Sequence, residues 1–426
     1  MIIIILVSFF VLLFMGLPIA FIMGLVTSGV MIFNGDALAL VPQRMFAGAN
    51  SFSLLALPLF ILAGNIMGEG GLTKRLMALA NLVVGRFNGG LAMTSVVSCA
   101  LFGAVSGSTV ATSYAIGSVV VPEMKRQNYA EGFIASLIGP SGVLGLLIPP
   151  SITMVILGIT CNISIGSLFL GGFIPGILLA TMLCVYSNII SKRHHFGLVE
   201  REHHTKAEVF KICRDAFFPL MTPVIILGGI FSGAMTATEA AVAAVLYGLV
   251  LSAFYRELTL KRLIKVFADS AASSATVMIV ISVCSAFSWL LTTQKIPAMI
   301  SAFFMQYAHS PTAFLLIVSL ILLILGCLTE VTSLIILLGP IFMPIALQFG
   351  IDPVYFGLVL CMNFALANIT PPVGLSTIAG CAITNKNMGI EDTFPYTLYV
   401  IGITATAVLL VIFIPELSLF LPRLLG

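Results

Sequence analysis

The sequence predicts an all-α polytopic membrane protein of about ten full spans plus two re-entrant helical hairpins arranged as an inverted repeat. Three observations predict it. Hydrophobic residues make up 60% of the 426 positions and charged residues 8%. A soluble domain carries roughly 25% charged residues, so this chain cannot cover itself with a water-facing surface and must be solvated by lipid over most of its exterior. Long apolar runs succeed one another at lengths suited to crossing, which takes about 20 residues. Two further apolar stretches are broken in mid-run by small polar residues, and each is followed by a run carrying a double proline.

The first run, from Met1 to Phe33, is interrupted only by Gly, Pro, Ser and Thr. It lacks a basic flank and is too long for a signal peptide, so it is expected to span. Further spans are expected at about 52–67, 72–87, 132–160, 167–190, 216–234, 236–255, 271–293, 355–383 and 394–420. The two broken stretches are about 90–121, interrupted from Gly103 to Thr109, and 313–347, interrupted from Gly326 to Glu330. Each half is too short to cross alone at a rise of about 1.5 Å per residue. A hairpin that enters and leaves on one side fits better.

Charge placement is compatible with that map. Lys125 and Arg126 follow the first hairpin. Lys192, Arg193, Arg201, Lys206, Lys211 and Arg214 fill the longest polar connection, and Arg256, Lys261, Arg262 and Lys265 fill another. With the N-terminus outside and neither hairpin crossing, all three clusters fall on the cytoplasmic side, as the positive-inside rule requires. Charge alone does not exclude two full crossings; the broken centres decide. The formal net charge of +3 is small, and no nucleic-acid partner is expected. Eight cysteines are scattered singly, without a CxxC or a nearby histidine pair. They read as small inert thiols rather than a transition-metal site. His194, His195, His203 and His204 stand beside Glu200, Glu202 and Glu208 in the long connection, where a solvated cytoplasmic segment is expected in preference to a metal site.

The broken elements repeat. Pro122 precedes Pro149 by 27 residues and Pro344 precedes Pro371 by 27, while Gly103 and Gly326 stand 19 and 18 residues before their prolines. In the orientation above, the first hairpin opens to the cytoplasm and the second to the outside. Inverted repeats of this kind place binding sites near the bilayer midplane.

Paired prolines remove two N–H donors and bar the preceding residue from helix. Carbonyls around Gly145, Ile148, Ala367 and Thr370 are therefore expected to lose their helical partners. Such groups survive at membrane depth only when buried in protein or lining a wet cavity. A desolvated sodium ion would satisfy them, helped by the Ser106 and Thr370 hydroxyls, because a hard cation takes oxygen ligands. The alternative is a pair of structural kinks satisfied by neighbouring helices. The hairpin tips offer Ser106, Ser108, Thr109, Thr112 and Ser113 from the first, and Thr329, Glu330, Thr332 and Ser333 from the second. Half-helix N-termini after each tip would suit a carboxylate, although hydroxyls can also serve helix packing. Glu330 reads equally as a functional acid and as a helix cap, whereas Glu239, after Thr236, reads as a cap.

At these motifs the chain resembles the large membrane subunit of the TRAP (tripartite ATP-independent periplasmic) transporters. The matching stretches are Gly103–Thr112, Gly117–Met124, Ile148–Ser151, Thr236–Ala241 and Thr370–Gly374. The resemblance covers essentially the whole length. It implies a sodium-driven elevator in the bacterial inner membrane, with both termini periplasmic, that takes up a small organic acid with two or more coupling sodium ions. The small membrane subunit of the same transporter and a periplasmic solute-binding protein would be its partners, neither of them in this chain. By position, the first sodium site would use Gly103, Ser106, Gly145, Ile148 and Pro150. The second would use Gly326, Ala367, Thr370 and Val373. Transport-domain repeats are expected at 90–160 and 313–383, with scaffold at 1–89, 161–312 and 384–426. Two departures stand at the tips: Gly107, Ser108 and Thr109 replace the usual Gly-Ser-Ser, and Glu330 and Ala367 replace a common Asp and Gly.

The residues favour a carrier over the other classes. A channel wants a continuous polar lining, yet here the polar residues converge on two breaks. An enzyme is not expected, because no histidine lies in a span and no paired acids lie at depth. No phosphate-binding Gly-x-x-x-x-Gly-Lys-Ser/Thr sequence is present. A stand-alone sodium/carboxylate symporter of similar hairpin architecture, working without a binding protein, is the remaining alternative.

Overall fold

The computed structural model describes residues 2–197 and 205–425. Glu200, Arg201, Glu202, His203 and His204 lie outside the described residues. Among those described, all regular structure is helical.

The expected first span is two helices, α1 (Ile2–Phe14) and α2 (Ile19–Asn34). Gly16, at φ 79°, and Pro18, before the first turn of α2, separate them. Both residues are helix punctuation, and a 33-residue run exceeds one crossing, so the single-span reading is corrected. A short helix α3 (Leu40–Ala49) follows, and then α4 (Ala56–Glu69), entered through a 3₁₀ turn at Phe52–Leu55. Next come α5 (Leu72–Val84) and the first hairpin, α6 (Gly90–Ser106) and α7 (Thr109–Arg126). The expected broken span is α8 (Glu131–Ser141), a single turn α9 (Leu144–Leu147) and α10 (Ile152–Cys161), bent by 43° at the prolines.

Four long helices succeed them: α11 (Ile165–His194), α12 (Lys206–Phe231), α13 (Ala237–Tyr255) and α14 (Leu260–Thr293). A short α15 (Ile296–Tyr307) leads to the second hairpin, α16 (Pro311–Gly326) and α17 (Val331–Gln348). The second broken run is α18 (Pro353–Ile369) and α19 (Leu375–Thr384), and α20 (Tyr396–Phe413) and α21 (Glu416–Leu425) complete the chain. Among the described residues, seven helices are long and apolar enough to cross a membrane, or eight with the bent pair counted. Of the other expected spans, 132–160 and 355–383 are divided, and 72–87 is the 13-residue α5. One of the seven is α17, so length alone does not make the second hairpin re-entrant.

Capping fixes the helix starts. Thr236 and Glu239 form a reciprocal capping box on α13, with the Thr236 N–H donating to the Glu239 carboxylate at 2.8 Å, which makes Glu239 structural. Thr205 and Glu208 do the same for α12.

Packing sorts the helices. α14 lies against α2, α3 and α4, and α13 joins α4 and α12. The broken runs exchange their second halves: α10 packs on α17, and α19 packs on α7 and α8. Where α8 and α19 cross, Gly139 and Gly380 allow backbone to meet backbone. A methyl on Gly139 would lie 2.0 Å from the Ser376 oxygen, and one on Gly380 would lie 2.2 Å from the Ala135 oxygen. Small residues permit such approach in membrane helices. The two repeats are thereby knitted into one block, and their interrupted centres face each other.

Candidate functional site

The first tip is tighter than the sequence suggests. α6 continues through Gly103 to Ser106, and the interruption is only Gly107 and Ser108. Gly107 takes φ 62° and donates its N–H to the Gly103 oxygen at 2.8 Å. A residue without Cβ closes a helix in this way. Ser108 then caps α7 by accepting from the Ala111 N–H at 3.5 Å.

Pro149 and Pro150 have no N–H, so the Gly145 and Leu146 carbonyls lose their helical donors. The Ser151 hydroxyl donates to the Leu146 oxygen at 2.7 Å. The Ile152 N–H leaves the helical path and donates to the Gly107 oxygen at 3.3 Å. Gly103 and Gly145 touch: a methyl on Gly103 would lie 2.8 Å from the Gly145 Cα. Ser106 Oγ lies 2.8 Å from Thr112 Oγ1, and a methyl on Gly107 would lie 3.1 Å from the Pro150 oxygen. The structure thus gathers Gly103, Ser106, Gly145 and Pro150. The Ile148 side chain turns toward Gly176 of α11.

The second repeat reproduces this. The Val373 N–H donates to the Cys327 oxygen at 3.2 Å, as Ile152 donates to Gly107. Gly326 meets Ala367 as Gly103 meets Gly145, and a methyl on Gly326 would lie 2.3 Å from the Ala367 Cβ. The expected free carbonyl of Ala367 accepts from the Thr370 N–H at 3.2 Å, which corrects that expectation. The Thr370 hydroxyl donates to the Leu366 oxygen at 2.7 Å.

Between the tips lies a cleft of ≈ 160 Å³. Of the seven residues expected to contact a solute, Ser108, Thr109, Glu330 and Thr332 line it. Ser106 and Thr112 sit buried behind the first tip, hydrogen bonded to each other. Thr329 donates back to the Leu325 oxygen at 3.1 Å, within its own helix end. Ser113 donates to the Gly139 oxygen at 3.0 Å and ties the hairpin to α8.

Glu330 is a cap. Its carboxylate accepts from the Thr332 N–H at 3.1 Å, and from the Ser333 N–H and hydroxyl, each at 3.3 Å. The N-terminus of α17 therefore already holds a carboxylate, which corrects the expectation that both half-helix ends stand open. Asn368 and Thr153 also line the cleft, and sequence reasoning missed them. Asn368 is 7% exposed and its Oδ1 has no partner. An amide inside an apolar run beside a double proline was the available signal.

Two hairpins, each bonded at its tip to an interrupted helix, with a polar cleft where they meet, define a polytopic membrane transport protein. Residues 6–417 match the family described as "Tripartite ATP-independent periplasmic transporter, DctM component", and this chain belongs to that family. It is 37% identical to a C4-dicarboxylate TRAP transporter large permease of Pseudomonas aeruginosa over 93% of this chain and 92% of that one. It is 36% identical to a sialic acid TRAP transporter large permease of Vibrio cholerae, over 86% of each. The fold is similar to that of the Alcanivorax borkumensis YdaH transporter, with a TM-score of 0.56 at 15% identity over 88% of each chain.

Proposed function

We propose that this chain is a sodium-driven carrier of a small organic acid in the bacterial inner membrane, working by an elevator movement. It receives its solute from a periplasmic binding protein and works beside a small membrane subunit. The observation that carries the reading is the paired geometry in which Ile152 bonds Gly107 and Val373 bonds Cys327. Each bond holds a hairpin tip against carbonyls displaced by paired prolines, beside one common cleft.

In this reading, residues 90–160 and 313–383 move, and 1–89, 161–312 and 384–426 form the scaffold, with both termini periplasmic. One sodium ion is held by oxygens of Gly103, Ser106, Gly145, Ile148 and Pro150, the other by oxygens of Gly326, Ala367, Thr370 and Val373. The close contact of Gly103 with Gly145 and of Gly326 with Ala367 supports these groupings. The relatives' named solutes, a C4-dicarboxylate and sialic acid, support an organic acid.

Ion gradients suffice for the work. One charge moving through ~100 mV supplies about 2.3 kcal/mol, and a tenfold gradient about 1.4 kcal/mol more. Two sodium ions then give roughly 7 kcal/mol, on the order of a hundred-thousandfold accumulation of a neutral solute.

The test is uptake into proteoliposomes containing the chain, its small subunit and a binding protein. Ser106→Ala combined with Thr370→Ala is expected to raise the sodium concentration for half-maximal uptake by about tenfold or more, as for the loss of one ligand worth at least 1.4 kcal/mol. Unchanged sodium dependence sinks the ion assignment. Robust uptake by the chain without a binding protein favours the stand-alone symporter.

A further inference from the structure

Helix α14 is longer than a crossing needs. Its 34 residues extend roughly 50 Å at ~1.5 Å per residue, against about 30 Å of hydrocarbon. Near its far end the Arg44 guanidinium lies over the Trp289 ring, 5.2 Å from its centroid, and an indole of this kind marks a membrane–water interface. Counting back about 20 residues, one crossing, reaches Asp269. Residues 260–268 therefore overhang the hydrocarbon.

The overhang is not built for water. Leu260, Ile264 and Phe267 are 73%, 63% and 44% exposed, and their spacing of four and three sets them in one row along the helix. Lys261 and Lys265, also four apart, form a second row beside it, with Arg262 adjoining, and all three are exposed. The opposite face is taken: Val266 and Ser270 are buried, and the Ser270 hydroxyl accepts from the Asn65 amide of α4 at 2.9 Å. Acids nearby are engaged elsewhere. Arg75 holds Glu257 at 2.9 Å and Arg214 holds Asp215 at 3.5 Å. Among the described residues, Lys261, Arg262, Lys265 and the exposed Asp269 one turn on form no ion pair. A soluble acidic partner would meet the cations and leave the apolar row in water. An apolar helix would cover the row and bring no anion. A phospholipid with an anionic headgroup does both, its acyl chains against the row and its phosphate against the lysines, whose stems lie along the same surface.

We infer that the overhanging start of α14 is a binding site for an anionic phospholipid of the phosphatidylglycerol class. The inference is independent of the solute and of the coupling ion.

Contact quenching tests it. Trp289→Phe combined with Phe267→Trp gives a full chain whose one indole stands in the apolar row, since the sequence holds a single tryptophan. In phosphatidylcholine vesicles, brominated phosphatidylglycerol is expected to quench it with a relative binding constant about fivefold or more above that of brominated phosphatidylcholine, as for one cation at an anionic surface. Adding Lys261→Gln, Arg262→Gln and Lys265→Gln is expected to bring the ratio to about one while phosphatidylcholine still quenches. Native mass spectrometry of the chain with its own tryptophan, with and without the three glutamines, is expected to show the same preference and the same loss in retained lipid. Equal constants for the two lipids, or a preference that survives the glutamines, overturns the site. Millimolar inorganic phosphate at constant ionic strength is expected to change nothing; loss of the preference would make the cations a free-anion site and overturn the lipid. Loss of quenching by both lipids once the small membrane subunit is co-reconstituted would give the row to that subunit and also overturn it.

Discussion

Gly326 and Ala367 carry at single-residue scale the contact that holds the second tip against its broken helix. A methyl on Gly326 would sit 2.3 Å from the Ala367 Cβ, closer than two carbons can approach, so Gly326→Ala must push the tip away. Overpacking a tight contact costs about 1–3 kcal/mol, more than the helix-propensity gain of up to roughly 1 kcal/mol from replacing Gly. The single variant is expected to melt at a lower temperature in detergent and to need more sodium for uptake. Adding Ala367→Gly removes the opposing methyl and is expected to restore both. A single variant that melts with the parent chain, or a double variant that stays as weak as the single, would show that these residues do not touch. The first repeat reaches the same closeness with glycine on both sides, at Gly103 and Gly145. This explains how Ala at 367 is tolerated opposite Gly326: each pair has at least one partner without a Cβ.

At the scale of elements, the exchange of half-helices makes the repeats interdependent, and its tightest point is the crossing of α8 and α19. Gly380→Val would drive a branched side chain into the Ala135 oxygen, 2.2 Å from where its Cβ must lie. The obstacle is backbone, which cannot rotate aside as a side chain can. The variant is expected to lose more than about 3 kcal/mol, the scale of severe overpacking, and to be recovered poorly from membranes. Gly402→Ala is the control, because nothing lies within 4 Å of its Cβ position; its yield should match the parent. Equal yields of both variants would place the load elsewhere. The interrupted elements were legible in the sequence because their causes are local. Paired prolines at Pro149 and Pro371, and small polar tips at Ser106 and Thr329, announce themselves without knowledge of neighbours. The crossing was not legible, since Gly139 and Gly380 are 241 positions apart and only the fold brings them together. α3 and α15 were missed for another reason: at 10 and 12 residues they are too short to span, and lipid-exposed helices lack the one-sided apolar stripe that marks a soluble helix. Glu330 shows how a single chemical fact supports two readings. A carboxylate before a helix caps it and also charges the cleft beside it, and geometry alone shows that it does the first.

At the scale of the whole molecule, the elevator reading requires sliding between the block made by the two repeats and the helices around it. One face of that boundary is α11 against the proline break of the first repeat. A methyl on Gly176 would lie 2.6 Å from Ile148 Cγ1, and one on Gly172 would lie 2.6 Å from the Leu147 oxygen. Glycines here let the helix run close beside the broken segment. Tight but glycine-smoothed contact is what a sliding surface needs, because knobs locked into holes would resist displacement. Ile148→Cys with Gly176→Cys puts two thiols in reach of each other, and replacing isoleucine removes the side chain that would otherwise collide. The Ile148 backbone carbonyl stays in place, so the first ion site is preserved. Under oxidation the pair is expected to bridge and to stop uptake by at least about 90%, with recovery after reduction by dithiothreitol; the bond fixes a Cβ separation of roughly 3.5–4.5 Å across a boundary that must move much further. The Ile148→Cys single variant should transport under both conditions, and the double variant should transport while reduced. If quantitative bridging leaves uptake intact, the repeats and α11 travel as one body, and the moving boundary has to be sought where α4 meets the first tip, at Gly64 against Ser106.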